Sequence, residues 1–204
     1  MADLPIDLDA ESAERLASVI DVEGKIPRVL DALGPLGGRD VVLVDGPDGI
    51  LARRFAELGA RVTLVSSSGP ARFGAPDGSA DAVVACWSAF RGAPADELAE
   101  ADRLLRPGGR LLVVHDYGRD DVAGLRGDLP EYGSWSRRGG PFLTQGFKIR
   151  VVHCFWTFAS LDDAQGFLAG AFGDAGRSLG ARLTRPRLSY NVAVYHRTFG
   201  EAMT

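Results

Sequence analysis

The sequence predicts an α/β fold built on an open, mostly parallel, twisted sheet. Short runs of aliphatic and β-branched residues have the length of buried strands, segments with helical spacing separate these runs, and glycine- or proline-rich turns bound both. The strands expected in the first half are residues 41–44, 61–65, 81–87 and 110–114. With 204 residues, 46% of them hydrophobic, the chain has the size of one domain with a sizeable core.

The single predicted domain divides into a lead-in and two halves. Residues 1–36 are expected to be mainly helical, because apolar residues recur there at helical spacing. Residues 37–115 begin with a strand, a helix at 49–58, a stop at Gly59 and a second strand. That order predicts a βαβ unit with a right-handed crossover. Residues 116–204 form a less regular second half.

The remaining elements follow from the same patterns. They are a helix at 95–105, a tight turn at 107–109, a short helix at 120–125, a strand at 147–158, a helix at 161–172 with a further helical turn toward 179, and a strand at 189–199. Residues 130–146 are rich in glycine and are expected to form a lid-like loop, because a loop of that length commonly binds or covers a ligand. Arg137 and Arg138 in this loop either grip an acidic acceptor or are simply solvated.

Composition excludes several classes of function. The 27 acidic and 23 basic residues give a net charge of −4, so no binding of nucleic acid is expected. The apolar runs fall far short of the ~20 residues of a membrane helix, and the acidic start is unlike a signal peptide. A cytoplasmic location without membrane association is therefore expected. Cys86 and Cys154 have no zinc-ligand spacing, and no metal site is expected.

Three stretches resemble class I S-adenosylmethionine-dependent methyltransferases. Residues 105–114 (LRPGGRLLVV) are similar to a turn and strand of that family, residues 49–65 to its first helix and second strand, and residues 76–84 to the approach to its fourth strand. They follow one another in the family's order between residues 41 and 115. The resemblance implies a Rossmann-like sheet, S-adenosylmethionine as cofactor and methyl transfer to a small molecule.

The sequence departs from this family at the expected cofactor loop. Aligned backward from Gly49, the family's acid falls on Leu43 and its glycines on Asp45 and Pro47. The acid that holds the ribose hydroxyls at the end of the second strand is replaced by Ser66, which lacks the strength of a charge-assisted hydrogen bond. These differences predict a cofactor site that is impaired or differently built.

A deletion forms the third departure. Only residues 66–80 lie between the second strand and the next one, where the family has a helix and a third strand. The edge helix and third strand are therefore expected to be shortened or missing. Gly69 stands where an acid that contacts adenine would be expected.

Candidate site residues lie at the carboxyl ends of the parallel strands, where open α/β sheets bind ligands. The predicted cofactor-binding residues are Asp45, Gly46, Asp48, Gly49, Ser66, Ser67 and Trp87, and the predicted catalytic residues are His115, Asp116 and Tyr117. His115 would take the proton of the acceptor, with Asp116 or Tyr117 orienting it. Alternative roles remain: Asp48 as a helix cap, Trp87 as core at the rim, and His115 as a cap of its strand.

Two functions from different classes follow. The first is a methyltransferase that acts on an unidentified small-molecule acceptor. The second is a non-catalytic, methyltransferase-like protein that has lost the cofactor and serves as a binding or assembly partner, for example as a homo-oligomer through the uncovered edge strand 61–65. A dinucleotide-binding protein is a weaker third reading, because the first turn lacks G-x-G-x-x-G.

Overall fold

A computed structural model describes residues 4–46, 50–68 and 73–200 of the chain. The elements are α1 (Ala10–Val19), α2 (Lys25–Leu33), β1 (Asp40–Val44), α3 (Ile50–Glu57), β2 (Arg61–Val65), β3 (Ala80–Cys86), α4 (Ala95–Leu104), β4 (Leu105–Asp116), α5 (Ala123–Arg126), α6 (Pro141–Thr144), β5 (Lys148–Thr157), α7 (Leu161–Gly180) and β6 (Arg187–Thr198). This order confirms the predicted α/β class.

The strands form one six-stranded sheet in the order β2-β1-β3-β4-β6-β5. The first four strands in this order are parallel, whereas β6 lies antiparallel between β4 and β5. The sheet is therefore open and mostly parallel, as predicted. Because the carboxyl ends of β1, β2, β3 and β4 meet at one edge, the topology gathers the candidate residues there.

Side chains alternate between two hydrophobic layers, one on each face of the sheet. In β1, Leu43 packs under helices α1, α2, α3 and α7, whereas Val44 faces α4, α6 and the loops beside them. Both clusters contain large side chains that are fully buried, with Phe55 and Trp156 in the first and Phe90 and Phe142 in the second. Residues that follow one another at a strand end therefore enter different environments.

Some boundaries differ from the sequence-based ones. The expected turn at 107–109 lies within β4, where pairing with β3 passes from Ala80↔Leu105 to Ala82↔Arg110 and leaves residues 106–109 as a bulge. The helix expected at 120–125 is the shorter α5. Helix α7 runs to Gly180 through a kink at Gly173, which confirms the further helical turn.

Segment 130–146 is more structured than a plain loop. It contains α6, and its Trp135 and Phe142 are buried in the layer on the α4 side of the sheet. These aromatic side chains bring the segment down onto the ends of β4 and β6. The segment thus covers part of the sheet edge at which the candidate residues lie.

Strand β2 forms the edge of the sheet. The described residues between β2 and β3, 66–68 and 73–79, form neither a helix nor a strand. Phe73 is fully buried, and its N–H donates to the Ser66 carbonyl at 2.8 Å, so the chain turns back into the core directly after β2. The expected loss of the third strand and its helix is confirmed for these residues.

Two further observations concern the described part of the chain. It contains no helix that is long and apolar enough to span a bilayer. Across the same ranges, no three His, Cys, Asp or Glu side chains come together in a way that could hold a metal ion.

Candidate functional site

Several non-glycine residues beyond the carboxyl ends of parallel strands have a left-handed backbone. Among them are Asp45 after β1 (φ 53°), Phe73 after β2 (φ 48°), Trp87 and Phe90 after β3 (φ 56° and 60°) and Arg119 after β4 (φ 59°). For residues other than glycine such a conformation costs about 1–3 kcal/mol and persists only where the surroundings enforce it. This concentration of strain at one sheet edge is typical of a functional site.

Asp45 joins the ends of β1 and β2. Its Oδ1 accepts hydrogen bonds from the Ser67 N–H at 2.8 Å and the Ser66 hydroxyl at 3.3 Å, and its Oδ2 accepts from the Ser67 hydroxyl. The structure therefore brings together three of the predicted cofactor-binding residues. It also places a carboxylate beside Ser66, the position at which the sequence lacks an acid.

Gly46 is buried directly behind Asp45. A Cβ atom at this position would lie 2.6 Å from Leu43 Cδ2, so a larger residue would require the Leu43 side chain or the backbone at residue 46 to shift. The predicted residues Asp48 and Gly49 lie outside the described residues. Of the two predicted cofactor-binding glycines, the structure therefore describes Gly46, whose backbone lies close to the Leu43 side chain.

Asp116 is a buried carboxylate surrounded by donors. Its Oδ1 accepts from Trp87 Nε1 at 3.1 Å and from the Tyr190 hydroxyl, and its Oδ2 is paired with Arg126. Burial raises the pKa of Asp116 to about 6, and the Arg126 charge and the Tyr190 hydrogen bond oppose this shift. The indole of Trp87 is thereby fixed edge-on to a carboxylate.

His115 is fully buried on the opposite face of β4. Its ring lies 5.0 Å from that of Trp135 in an edge-to-face arrangement and 6.0 Å from that of Phe142. Neither ring nitrogen has a partner at full hydrogen-bond geometry among the described residues, and the Ala89 backbone interacts with the ring and opposes the fall in the pKa of His115. Burial and then the nearby charge of Arg91 lower the pKa of His115 to about 3, so the imidazole is neutral at neutral pH.

The three predicted catalytic residues therefore do not form one constellation. His115 points into the layer covered by segment 130–146, whereas the hydrogen bonds of Asp116 lie with Trp87 and Tyr190 on the other face. Tyr117 is half-buried, its ring lies 5.6 Å from the Arg119 guanidinium carbon, and its N–H donates to the Asn191 carbonyl at 2.9 Å. The catalytic roles of all three stay predictions.

The sequence reasoning missed several residues of this edge. Tyr190 and Arg126 complete the Asp116 cluster, Trp135 and Arg91 lie near His115, and Glu131 pairs with Arg91. Tyr190 is 74 positions from Asp116, and no local pattern connects the two. The sequence pointed to this region only through the length of segment 130–146, which predicted a lid-like loop over a ligand.

The same fold occurs in solved structures. A candidate type II methyltransferase of Anaeromyxobacter dehalogenans matches with a TM-score of 0.54 and 19% identity, over 85% of this chain and 96% of that chain. A candidate methyltransferase of Bacillus halodurans matches with a TM-score of 0.52 and 16% identity, over 87% and 100%. A SAM-dependent methyltransferase of Aquifex aeolicus matches with a TM-score of 0.51 and 15% identity, over 95% and 100%. No family model matches the chain, and no curated protein matches it significantly.

The chain has the Rossmann-like methyltransferase fold. The resemblance of residues 49–65 and 105–114 predicted this outcome. At these identities the likeness concerns the fold, so the activity of this chain has to be argued from its own residues.

Proposed function

We propose that this protein transfers the methyl group of S-adenosylmethionine to a small-molecule acceptor. The observation that carries the proposal is the Asp45 carboxylate, which lies beside Ser66 and Ser67 at the ends of β1 and β2. The fold and its solved neighbours support the same assignment. The two strand ends are adjacent, so an acid on β1 compensates for the serine on β2.

The residues present fit an adenosyl group. A carboxylate accepts up to about four hydrogen bonds, so Asp45 can exchange the hydroxyl of Ser67 or Ser66 for those of a ribose. Ser66 is exposed and Asp45 is half-buried, which leaves this edge open to a ligand. Gly46 packs closely against the Leu43 side chain at the end of β1.

The acceptor side of the proposed site is His115. When bound, S-adenosylmethionine supplies an electrophilic methyl group on a positively charged sulfur. The neutral imidazole of His115 offers a hydrogen-bond acceptor that can orient the hydroxyl or amine of an acceptor molecule. Asp116 fixes the Trp87 indole near the end of β3 through the 3.1 Å hydrogen bond.

Calorimetry with S-adenosylhomocysteine tests the cofactor assignment. We expect wild-type protein to bind it and Asp45→Asn to bind about tenfold more weakly or worse, which corresponds to ~1.4 kcal/mol. Asp174→Asn, an exposed acid in α7 whose side chain is 95% accessible, is the matched control and should bind as wild type does. Absence of wild-type binding at millimolar ligand would contradict the proposal.

The uncovered edge of the sheet favours a second candidate, in which the chain acts as an assembly module. Arg61 N–H donates to the Arg39 carbonyl and Asp45 N–H donates to the Val65 carbonyl, so the intervening Val62 and Leu64 present their backbone groups outward. The Leu64 side chain is 45% exposed. Such an edge pairs readily with another strand.

A second copy of the chain suits this edge. Antiparallel pairing of β2 centred on Thr63 sets Val62 against Leu64 of the other copy and opposes no like charges. Light scattering should then report a dimer for wild type and a monomer for Leu64→Lys, with thermal stability unchanged. A wild-type protein that stays monomeric at high concentration would exclude this candidate.

A further inference from the structure

Segment 130–146 encloses several buried polar atoms that lack partners. His115 Nδ1 and Nε2, Glu131 Oε2 and the Tyr195 hydroxyl have no hydrogen-bond partner among the described residues. His115 and Tyr195 are 0% exposed and Glu131 is 2% exposed. An unpaired buried polar group costs about 1–3 kcal/mol. While the segment covers these polar atoms, they lack hydrogen bonds that a ligand could supply.

The surroundings of His115 are flat aromatic surfaces. The ring of Trp135 lies 5.0 Å from that of His115 and 5.8 Å from that of Phe142, and Phe142 stacks on Tyr195 at 3.8 Å and 9°. Ring faces and edges of this kind pack best against another planar ring. They favour a flat ligand over a bulky aliphatic one.

The cover is attached in a way that allows it to open. The Arg91 guanidinium pairs with Glu131 at 2.7 Å and lies 5.5 Å from the ring of Trp135, but the Arg91 side chain is 48% exposed. Gly127, shortly before the segment, and Gly146, its last residue, have φ angles of 71° and 78°. Glycines change backbone conformation at the lowest steric cost, so both ends of the segment can act as hinges.

We propose that segment 130–146 is a lid and that a small phenol, a flat ring carrying a hydroxyl group, binds beneath it against His115. The inference rests on the proposed function, because the phenol would be the methyl acceptor: its oxygen would gain the methyl group as the S–CH₃ bond breaks, S-adenosylhomocysteine would leave, and the hydroxyl proton would pass to the ring nitrogen of His115 and on to solvent. With the lid raised, the ring of the phenol occupies the place of the Trp135 indole, and its hydroxyl donates to a ring nitrogen of His115. This bond satisfies one of the atoms left unpaired in the covered arrangement.

Titration of the full chain with phenol tests the proposal. In protein with isotope-labelled histidine, we expect phenol to shift the ring signals of His115 and to leave those of His153 and His196 in place. His153 is exposed on β5 and His196 lies on β6 away from the aromatic cover, so both serve as internal references. Cyclohexanol, which carries a hydroxyl on a non-planar ring, should shift none of the three.

Two variants examine the lid itself. Trp135→Ala removes the side chain that competes with the ligand, so phenol should bind at least tenfold more tightly. Arg91→Ala removes an exposed partner of the lid and should raise the apparent affinity about threefold, even if Trp135→Ala fails to fold. The matched control is Phe155→Ala. The Phe155 ring lies on β5, with its centroid 4.4 Å from the Arg187 guanidinium carbon, and its removal should leave phenol binding unchanged.

Four experimental results would contradict the phenol site. Equal shifts of all three histidines, no shift of His115, binding of cyclohexanol as tight as that of phenol, or weaker binding by both Trp135→Ala and Arg91→Ala would each do so. Calorimetry with S-adenosylhomocysteine on the same samples separates the two proposals. Phenol binding without cofactor binding would remove the methyltransferase assignment and leave the phenol site, whereas the reverse would remove the phenol site alone.

Discussion

His115 and Asp116 are neighbours in the chain and both are almost fully buried, yet their surroundings are opposite. Three side chains from distant parts of the chain donate to the Asp116 carboxylate, whereas no described side chain forms a hydrogen bond with either nitrogen of His115. The cause is the alternation of β4, which turns one side chain to each face of the sheet. Adjacent positions at a strand end are therefore not evidence of a shared catalytic role.

The comparison distinguishes a residue that stabilises the fold from a neighbour that is predicted to bind a ligand. Asp116 connects β3, α5 and β6 through Trp87, Arg126 and Tyr190, so its removal should damage the fold. His115 has no comparable set of side-chain partners among the described residues, so its replacement should damage the fold less. The following predictions test this division, and each measures one member of the pair against a matched control.

Loss of Asp116 should have the largest effect. Asp116→Ala leaves Arg126, whose side chain is only 16% exposed, without its counter-charge, and such a change typically costs about 3–5 kcal/mol of the free energy of unfolding. Urea denaturation measures this loss. Asp174→Ala, at a site that is 95% exposed, should change stability by less than about 0.5 kcal/mol. A loss below about 1 kcal/mol at Asp116 would show that the cluster does not support the fold.

The two residues should also give stability opposite dependences on pH. The pKa of His115 is lowered from 6.5 to about 3 in the fold, so its contribution is complete above pH 6.5 and is lost as pH falls toward 3. The pKa of Asp116 is raised from 3.8 to about 6, so its contribution is complete below pH 3.8 and is lost as pH rises through 6. Between pH 4 and 6 the two slopes partly cancel in the wild type.

His115→Gln should expose that cancellation. A titrating group changes the free energy of unfolding by about 1.4 kcal/mol per pH unit. Between pH 7.5 and 4.5, the free energy of unfolding should therefore fall by ~3 kcal/mol more in the wild type than in His115→Gln. Urea denaturation at both pH values measures the difference. His153→Gln replaces an exposed histidine that bonds to Asn191 at 2.7 Å, and it should behave as the wild type does. Equal losses in wild type and His115→Gln would contradict the burial of a neutral His115.

The sequence predicted the framework of this edge better than its contacts. Aliphatic periodicity located β1, β2, β3 and β4, and parallel topology then required their carboxyl ends to meet. The missing third strand was also predictable, because residues 66–80 are too few to hold it with a helix. These properties depend on local spacing and length, which a sequence displays directly.

The partners across the sheet could not be predicted in this way. The Asp45 carboxylate reaches Ser66 because β1 and β2 are adjacent and Asp45 has a φ angle of 53°, and the sequence does not reveal that backbone conformation. The bond from Tyr190 to Asp116 depends on β6 lying antiparallel beside β4. Such contacts are set by the register between distant strands.

The two buried tyrosines of β6 extend the comparison at smaller scale. The Tyr190 hydroxyl donates to the Asp116 carboxylate, and hydrogen bonds to charged groups contribute about 1.5–3 kcal/mol. Tyr190→Phe should lower the free energy of unfolding by that amount at pH 7.5, where Asp116 is ionised. The loss should shrink at pH 4.5, because a protonated Asp116 accepts a weaker bond. A loss that is independent of pH would point to packing instead.

Tyr195→Phe should have the smallest effect of all. The Tyr195 ring stacks on Phe142 at 3.8 Å, but its hydroxyl is buried without a partner among the described residues. Phenylalanine keeps the stacking and removes the unpaired hydroxyl, so the free energy of unfolding should stay within about 0.5 kcal/mol of the wild type or rise by up to ~1 kcal/mol. Parallel urea denaturation of Tyr190→Phe and Tyr195→Phe supplies the control, since the two substitutions delete the same atom from one strand. If Tyr195→Phe cost as much as Tyr190→Phe, the polar atoms beneath segment 130–146 would already be satisfied, and the contrast between the two faces of β4 would fail.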